Sequence, residues 1–248
     1  MKTKNLQPFS FLTALFLLMS GLSNAQELKN DSFETSMGEL NIYHVGHASL
    51  YFEIDDKVIH VDPFGKMGDY ASMPKADLIL ITHAHRDHLD PETIELISKE
   101  DTKIILNQAS FDSFKKGQIM KNGDQTKVLG FPIKAVPAYN IVHKRDDGEA
   151  YHPKDRDNGY VVEFGDTKVY IAGDTENIPE MINLDKIDIA FLPMNLPYTM
   201  SPEMCKDAAL MVKPDVLFPY HYKMGKTNPE KFAKLMEGVE GIDVRFRQ

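Results

Sequence analysis

The sequence predicts an α/β fold, and three observations carry that prediction. Short, nearly all-apolar runs rich in Val, Ile and Leu recur along the chain, the pattern of strands buried on both faces. Three segments share the punctuation of a helix start: Asp90-Pro91-Glu92, Ser201-Pro202-Glu203 and Asn228-Pro229-Glu230. In each, a short polar side chain is placed to cap free N–H groups, Pro takes the first helical position, and Glu meets the positive helix end. Ahead of both, a stretch of alternating segments separated by tight-turn residues reads as a β-meander.

In chain order, the first 25 residues stand apart from the fold. Lys2 and Lys4 lead an apolar stretch from Phe9 to Leu22, and Ser23-Asn24-Ala25 closes it with small residues. That is the order of a cleaved secretory signal, and the apolar run is shorter than the roughly 20 residues that span a bilayer. The expectation is an exported chain, periplasmic or secreted, beginning at Gln26 with no stable membrane anchor after cleavage. Residues 26–248 are then long enough for one sizeable domain.

The meander comprises Leu40 to Val45, Ser49 to Ile54 and Lys57 to Val61, with Asp55-Asp56 as a turn. Buried strands are expected at Leu78 to Ile81, Ile104 to Leu106, Val169 to Ala172, Ile187 to Leu192 and Val216 to Phe218, and Gly165-Asp166 reads as a hairpin turn. The longest irregular stretch, Asn140 to Asn158, is polar and charged, and a loop of that length in a compact domain is often functional. The 28 Lys and Arg against 37 Asp and Glu give a formal charge of −9, with no basic field to gather phosphates. A nucleic-acid partner is excluded on that ground, and a small-molecule substrate is expected. The single Cys205 forms no intramolecular disulfide, so stability comes from packing and from metal.

The chemistry is concentrated in Thr82-His83-Ala84-His85-Arg86-Asp87-His88, directly after a buried strand. Two His separated by one residue in an extended segment point to the same side and reach one cation. Asp87 and His88, after the bend, turn toward another. A solvated polar loop would account for one His, not for four ligand-type side chains at the end of a core strand. Two further candidates end strands, Asp174 after Val169 to Ala172 and His221 after Val216 to Phe218. Singly, Asp174 could be a helix cap and His221 a core histidine. Together with the cluster they make a set of imidazoles and carboxylates suited to Zn²⁺, with Mn²⁺ or Fe²⁺ as alternatives.

The run His83-x-His85-x-Asp87-His88 resembles the mark of the metallo-β-lactamase superfamily, and most closely the branch of ascorbate-phosphate lactonase-like hydrolases and N-acyl-phosphatidylethanolamine phospholipase D. Supporting pieces are Gly46-His47-Ala48-Ser49, Asp62-Pro63, Ala172-Gly173-Asp174-Thr175, Ala190-Phe191-Leu192-Pro193 and Pro219-Tyr220-His221-Tyr222, in family order over residues 40–222. The resemblance implies a four-layer αββα sandwich with the metal site at one edge between two sheets. It implies one or two zinc ions, the first held by His83 and His85, the second by Asp87, His88 and His221, with Asp174 between them. The implied reaction is attack by a metal-bound hydroxide on an ester, lactone or phosphodiester, with Asp87 orienting the hydroxide or moving its proton. His47 is a site candidate or a solvent-facing strand residue, and Asp62 is expected to fix the metal loop by accepting hydrogen bonds.

One position departs from the pattern. Where relatives place a third His for the first metal, this chain reads Pro137-Ala138-Tyr139-Asn140, and an amide oxygen is a poorer zinc ligand than imidazole. His143 and His152 are the available substitutes, His152 preferred because the strand at Gly159 returns toward the site. The other reading is a degenerate first site and a mononuclear enzyme. A secreted, non-catalytic binding protein on the same fold is the alternative function. Tyr139, Tyr151 and Tyr198 either line a pocket or pack in the core.

Overall fold

The structure, a computed structural model, describes residues 28–222 and 227–247. The expected leader, residues 1–25, lies outside the described residues. Strands β1 (Lys29–Thr35), β2 (Gly38–Gly46), β3 (Ser49–Ile54) and β4 (Lys57–Val61) form an antiparallel meander. Strands β5 (Ala76–Leu80), β6 (Ser98–Leu106) and β7 (Gln118–Ile119) extend it in parallel. The helices α1 (Pro91–Ile97) and α2 (Gln108–Phe114) make the crossovers. The second sheet repeats the plan. Antiparallel β8 (Gln125–Val128), β9 (Phe131–Ala138), β10 (Asp157–Phe164) and β11 (Thr167–Ile171) are followed by parallel β12 (Ile189–Pro193), β13 (Val216–Tyr220) and β14 (Asp243–Val244). Each sheet has seven strands in sequential order.

Helices α3 (Pro202–Val212) and α4 (Pro229–Met236) cover the outer face of the second sheet, as α1 and α2 cover that of the first. The layers are therefore helix, sheet, sheet, helix. Strand β12 shows why its sequence is an unbroken apolar run: Ile189 and Phe191 enter the core between the sheets, while Ala190 and Leu192 pack beneath α3 and α4. Phe191 stacks on Phe218 at 5.1 Å and meets Phe52 of the opposite sheet at 6.3 Å.

Local signals account for most of the punctuation. Asp55 and Asp56 both adopt the left-handed region, φ 48° and 58°, which joins β3 to β4 with the right twist for a hairpin. Ser201 accepts a bond from the Met204 N–H and Asn228 from those of Glu230 and Lys231. Asp90 departs from the expectation. Its carboxylate makes no cap bond to α1 and instead accepts from the Gly65 N–H (3.0 Å) and the Thr93 hydroxyl (2.8 Å), tying the loop after β4 to the helix.

Strands β2, β4, β5, β9, β11 and β13 all end at the same edge of the sandwich, and antiparallel β10 begins there. Bonds between the sheets fasten that edge: Asn158 N–H to Thr82 C=O (3.0 Å), His221 N–H to His47 C=O (2.9 Å), and Tyr160 O–H to Ile81 C=O (2.9 Å). Another fastening, of chain end to chain start, is built on buried Asp31 of β1. It accepts from Arg247 Nε and Nη2, both at 2.7 Å, and from Arg245 Nη1 at 3.1 Å, with His44 Nε2 also 3.1 Å away.

Burial favours the neutral form of Asp31, but the bonds from His44 and Arg247 outweigh it and hold the carboxyl below its ordinary value of 3.8. A carboxyl that ionises more readily when folded stabilises the fold above its unfolded pKa, and that stabilisation is lost as acid protonates it in the folded state. Chemical denaturation of the wild type is therefore expected to lose stability more steeply below about pH 4 than Asp31→Asn. Parallel pH profiles for the two proteins would contradict this reading of the Asp31 cluster.

Candidate metal centre

The segment after β5 is shaped from beneath by Asp62, which follows β4. Asp62 Oδ1 accepts from the Thr82 N–H (2.8 Å), and Oδ2 accepts from the Thr82 hydroxyl (2.6 Å) and from His88 Nδ1 (2.8 Å). The Thr82 hydroxyl, its proton committed to Asp62, accepts from His83 Nδ1 at 3.0 Å. Both imidazoles are thus held by Nδ1 from behind, with Nε2 directed into the site.

Two groups of donor atoms result. In the first, His83 Nε2 stands 3.0 Å from His85 Nδ1, His85 Nδ1 stands 3.2 Å from His152 Nε2, and Asp174 Oδ2 lies 3.4 Å from His152 Nε2. In the second, His88 Nε2 and His221 Nε2 are 3.0 Å apart, with Asp174 Oδ1 at 3.6 and 3.3 Å and Asp87 Oδ2 4.0 Å from His221 Nε2. Asp174 turns one oxygen to each. Gly173 makes that turn possible: its φ is +66°, and a Cβ there would sit 2.8 Å from the Asn158 carbonyl. All seven expected residues, His83, His85, Asp87, His88, His152, Asp174 and His221, are brought together. His47 joins them, its Nε2 2.9 Å from Asp87 Oδ2.

Asn140 stands outside both groups. Its Oδ1 accepts from His152 Nδ1 (2.7 Å) and from the His152 N–H (2.9 Å), which fixes the His152 proton on Nδ1 and frees Nε2. His143 turns elsewhere, to Glu176 Oε1 at 2.6 Å. Sequence reasoning gave Glu176 no role. Fully buried, it accepts the N–H groups of Ile141 (2.6 Å), Val142 (2.7 Å) and His143 (2.7 Å) and the Asn140 amide (3.2 Å). Burial raises its carboxyl, but those N–H groups outweigh it and lower the pKa, so the base of the long loop is pinned by a carboxylate. Asn195 was missed as well; its Nδ2 lies 3.1 Å from His221 Nδ1. The only sequence signal for Glu176 is its place two residues after Asp174.

The electrostatics call for cations. Burial pulls His83, His152 and His221 well below their ordinary pKa and His85 to about 4, so these rings are neutral with lone pairs facing one another. Burial also lowers His88, but Asp174 and Asp62 together overcome it and raise the ring to about 9. Burial pushes Asp174 up to about 7 despite His88 beside it. Asp174 Oδ1 is buried with no hydrogen-bond donor among the described residues. A single proton cannot satisfy these converging donors, whereas the triplets His83, His85 and His152, His83, His88 and Asp174, and His47, Asp87 and His221 each bring three ligand atoms close enough to hold a divalent cation.

Above the donors opens a cavity of about 430 Å³, walled by Arg145, Tyr151, Asn195 and Tyr198. Of the three tyrosines in question, Tyr139 packs in the core and bonds Glu180, while Tyr151 and Tyr198 line the cavity.

The profile of the "Beta-lactamase superfamily domain" matches residues 30–221. With this fold and this site, the chain belongs to the metallo-β-lactamase superfamily and is a metal-dependent hydrolase of it. It is 32% identical to the UPF0173 metal-dependent hydrolase of Nanoarchaeum equitans, over 82% of this chain and 95% of the relative. A crystal structure of a protein assigned as a metal-dependent hydrolase, from Parabacteroides distasonis, is 48% identical with TM-score 0.84, covering 89% of this chain and 99% of that one. The metallo hydrolase Igni18 of Ignicoccus hospitalis is 25% identical with TM-score 0.70, covering 84% and 94%.

The geometry separates the two explanations of Asn140. His152→Ala is expected to cost one ion per chain, because it removes a donor from the first group. Asn140→Ala should weaken that ion by about 10-fold or more while leaving the stoichiometry recoverable at high metal, as loss of an orienting partner does. Metal titration of both variants checks this, and wild-type binding in His152→Ala would assign the first site to other residues.

Proposed function

We propose that the chain is an exported hydrolase with two metal ions, most simply zinc, that cleaves an ester, lactone or phosphodiester-type bond. The observation that carries this reading is the placement of Asp174, one carboxylate oxygen facing each of two donor groups beneath one open cavity. His83, His85 and His152 would hold the first ion, Asp87, His88 and His221 the second, and Asp174 both. The ions would supply Lewis acidity and lower the pKa of water near neutrality.

The chain's own groups do the rest. Asp62, Thr82 and Asn140 fix imidazole tautomers, so the donors need no rearrangement between turnovers. Asp87 is the proposed catalytic residue: half-buried at the cavity floor, its carboxylate is placed to orient the attacking water and accept its proton. His47 Nε2, 2.9 Å from Asp87 Oδ2 and lining the same cavity, is placed to relay the proton. Burial raises the Asp87 carboxyl, but His47 and His88 outweigh it and keep it ionised, the state an acceptor requires. The branch of lactonase-like and phospholipase D-like hydrolases remains the proposed kinship. Export rests on the leader-like residues 1–25.

Turnover of aryl esters, lactones and phosphodiesters by the purified protein is expected to vanish with chelator and return with zinc or manganese. Asp174→Ala and His221→Ala should each lower metal content and reduce kcat by at least about 100-fold, with cooperative unfolding retained. Metal binding without turnover on any of these would favour a non-catalytic binding protein. Separately, the intact mass of protein from its native host should correspond to a chain starting at Gln26, and retention of residues 1–25 would overturn export.

A further inference from the structure

The cavity wall carries a charge that the donor floor does not explain. Arg145 lies in a small hairpin within the long loop, closed by the Lys144–Ala150 bridge, the Arg145 N–H to Glu149 C=O bond (2.8 Å) and the Gly148 N–H to Arg145 C=O bond (3.0 Å). Its guanidinium sits 5.0 Å from the centroid of the Tyr151 ring, with Nη2 donating to the Tyr151 carbonyl at 3.5 Å. Tyr151 is itself braced edge-to-face against Tyr198 at 5.0 Å. Among the described residues no carboxylate lies within ion-pair distance of Arg145, although Asp146, Asp147 and Glu149 flank it in sequence. Asp147 is occupied in the turn, accepting from the Glu149 N–H.

Arg156 makes the contrast. It also donates to the Tyr151 carbonyl, at 3.4 Å, but its guanidinium is committed to Asp157 through bonds of 2.8 and 2.7 Å. Of these two arginines on one carbonyl, the one paired with a carboxylate faces the sheet edge, and the one left without a carboxylate lines the cavity. A guanidinium held on an aromatic face keeps its fork of donors free and preoriented for a planar or tetrahedral oxyanion. Tyr198, 43% exposed on the same cavity wall, gives the remainder of a ligand a surface to lie on.

We propose that Arg145 is the specificity residue of the cavity, and that the substrate carries an oxyanion, carboxylate or phosphate, which Arg145 binds while an apolar or aromatic portion rests against Tyr151 and Tyr198. This deepens the proposed function, since it takes the donor floor as the reacting centre. Two divalent ions, if bound against the carboxylates Asp87 and Asp174, would leave the floor positive, and Arg145 would add to that charge, favouring an anionic substrate over a cationic one. Asn195, on the same wall, supplies a neutral polar contact and does not alter that sign.

The test is calorimetric binding of phenylphosphonate and of benzoate to the metal-loaded protein, with benzamide as neutral control, for wild type, Arg145→Ala and Arg145→Lys. Arg145→Ala is expected to weaken at least one anionic probe by about 10-fold or more, with benzamide binding, metal content and melting temperature unchanged. Arg145→Lys should recover part of the loss, because an ammonium keeps the charge and loses the fork. The probe that loses more identifies the oxyanion as phosphate-like or carboxylate-like. Unchanged affinity in Arg145→Ala, or no binding of either anion to the wild type, would overturn the proposal. The readout is equilibrium binding without turnover. An Arg145-dependent affinity in a preparation that turns over no ester, lactone or phosphodiester would therefore sustain this inference while overturning the proposed substrate classes.

Discussion

In the first donor group, neutral imidazole nitrogens 3.0 to 3.2 Å apart, with lone pairs facing one another, repel unless a cation stands between them. The rest of the site is arranged around that constraint. Three acceptors behind the rings, Thr82 for His83, Asp62 for His88 and Asn140 for His152, take the Nδ1 protons and so dictate that the other nitrogens converge. Asp174 adds negative charge where burial would rather have none, which makes the need for positive charge stronger still.

Holding such an arrangement requires a frame that does not relax. The sandwich supplies it by ending β2, β4, β5, β9, β11 and β13 and beginning β10 at one edge, so the loops that carry the functional side chains spring from strand ends. Backbone bonds from Asn158 to Thr82 and from His221 to His47 cross between the sheets at that edge, coupling the two halves of the site. The core of packed aromatics behind them, Phe52, Phe164, Phe191 and Phe218, sets the distance between the sheets and thereby between the donor groups.

What the sequence made legible follows from how local each signal is. The cluster from His83 to His88 is contiguous, and Asp174 and His221 follow short apolar runs whose β-branched content favoured buried strands over helix turns, so their convergence could be read in advance. Strands β3 and β4 fall at Ser49–Ile54 and Lys57–Val61, within the bounds that alternation and the Asp55-Asp56 turn gave them. Strand β1 was not legible because its sequence, KNDSFET, is that of a polar edge strand whose one buried residue is Asp31, partnered by arginines more than 200 residues away. Helix α2 has seven residues and no Pro at its start. The exchange of roles between Asn140 and His152 was left open because it depends on a loop that folds back over twelve residues, and Glu176 was missed because its partners lie 33 to 36 residues away. The cap expected at Asp90 failed for a related reason, a tertiary partner in Gly65 outcompeting the local one.

One carboxylate, Asp174, is placed to join two cation sites built from the ends of two sheets. Anomalous diffraction at the zinc edge, from crystals of the zinc-loaded protein, locates those ions. Two peaks should flank Asp174, one among His83, His85 and His152 and the other among Asp87, His88 and His221. A single peak, or ions bound away from Asp174, would contradict it.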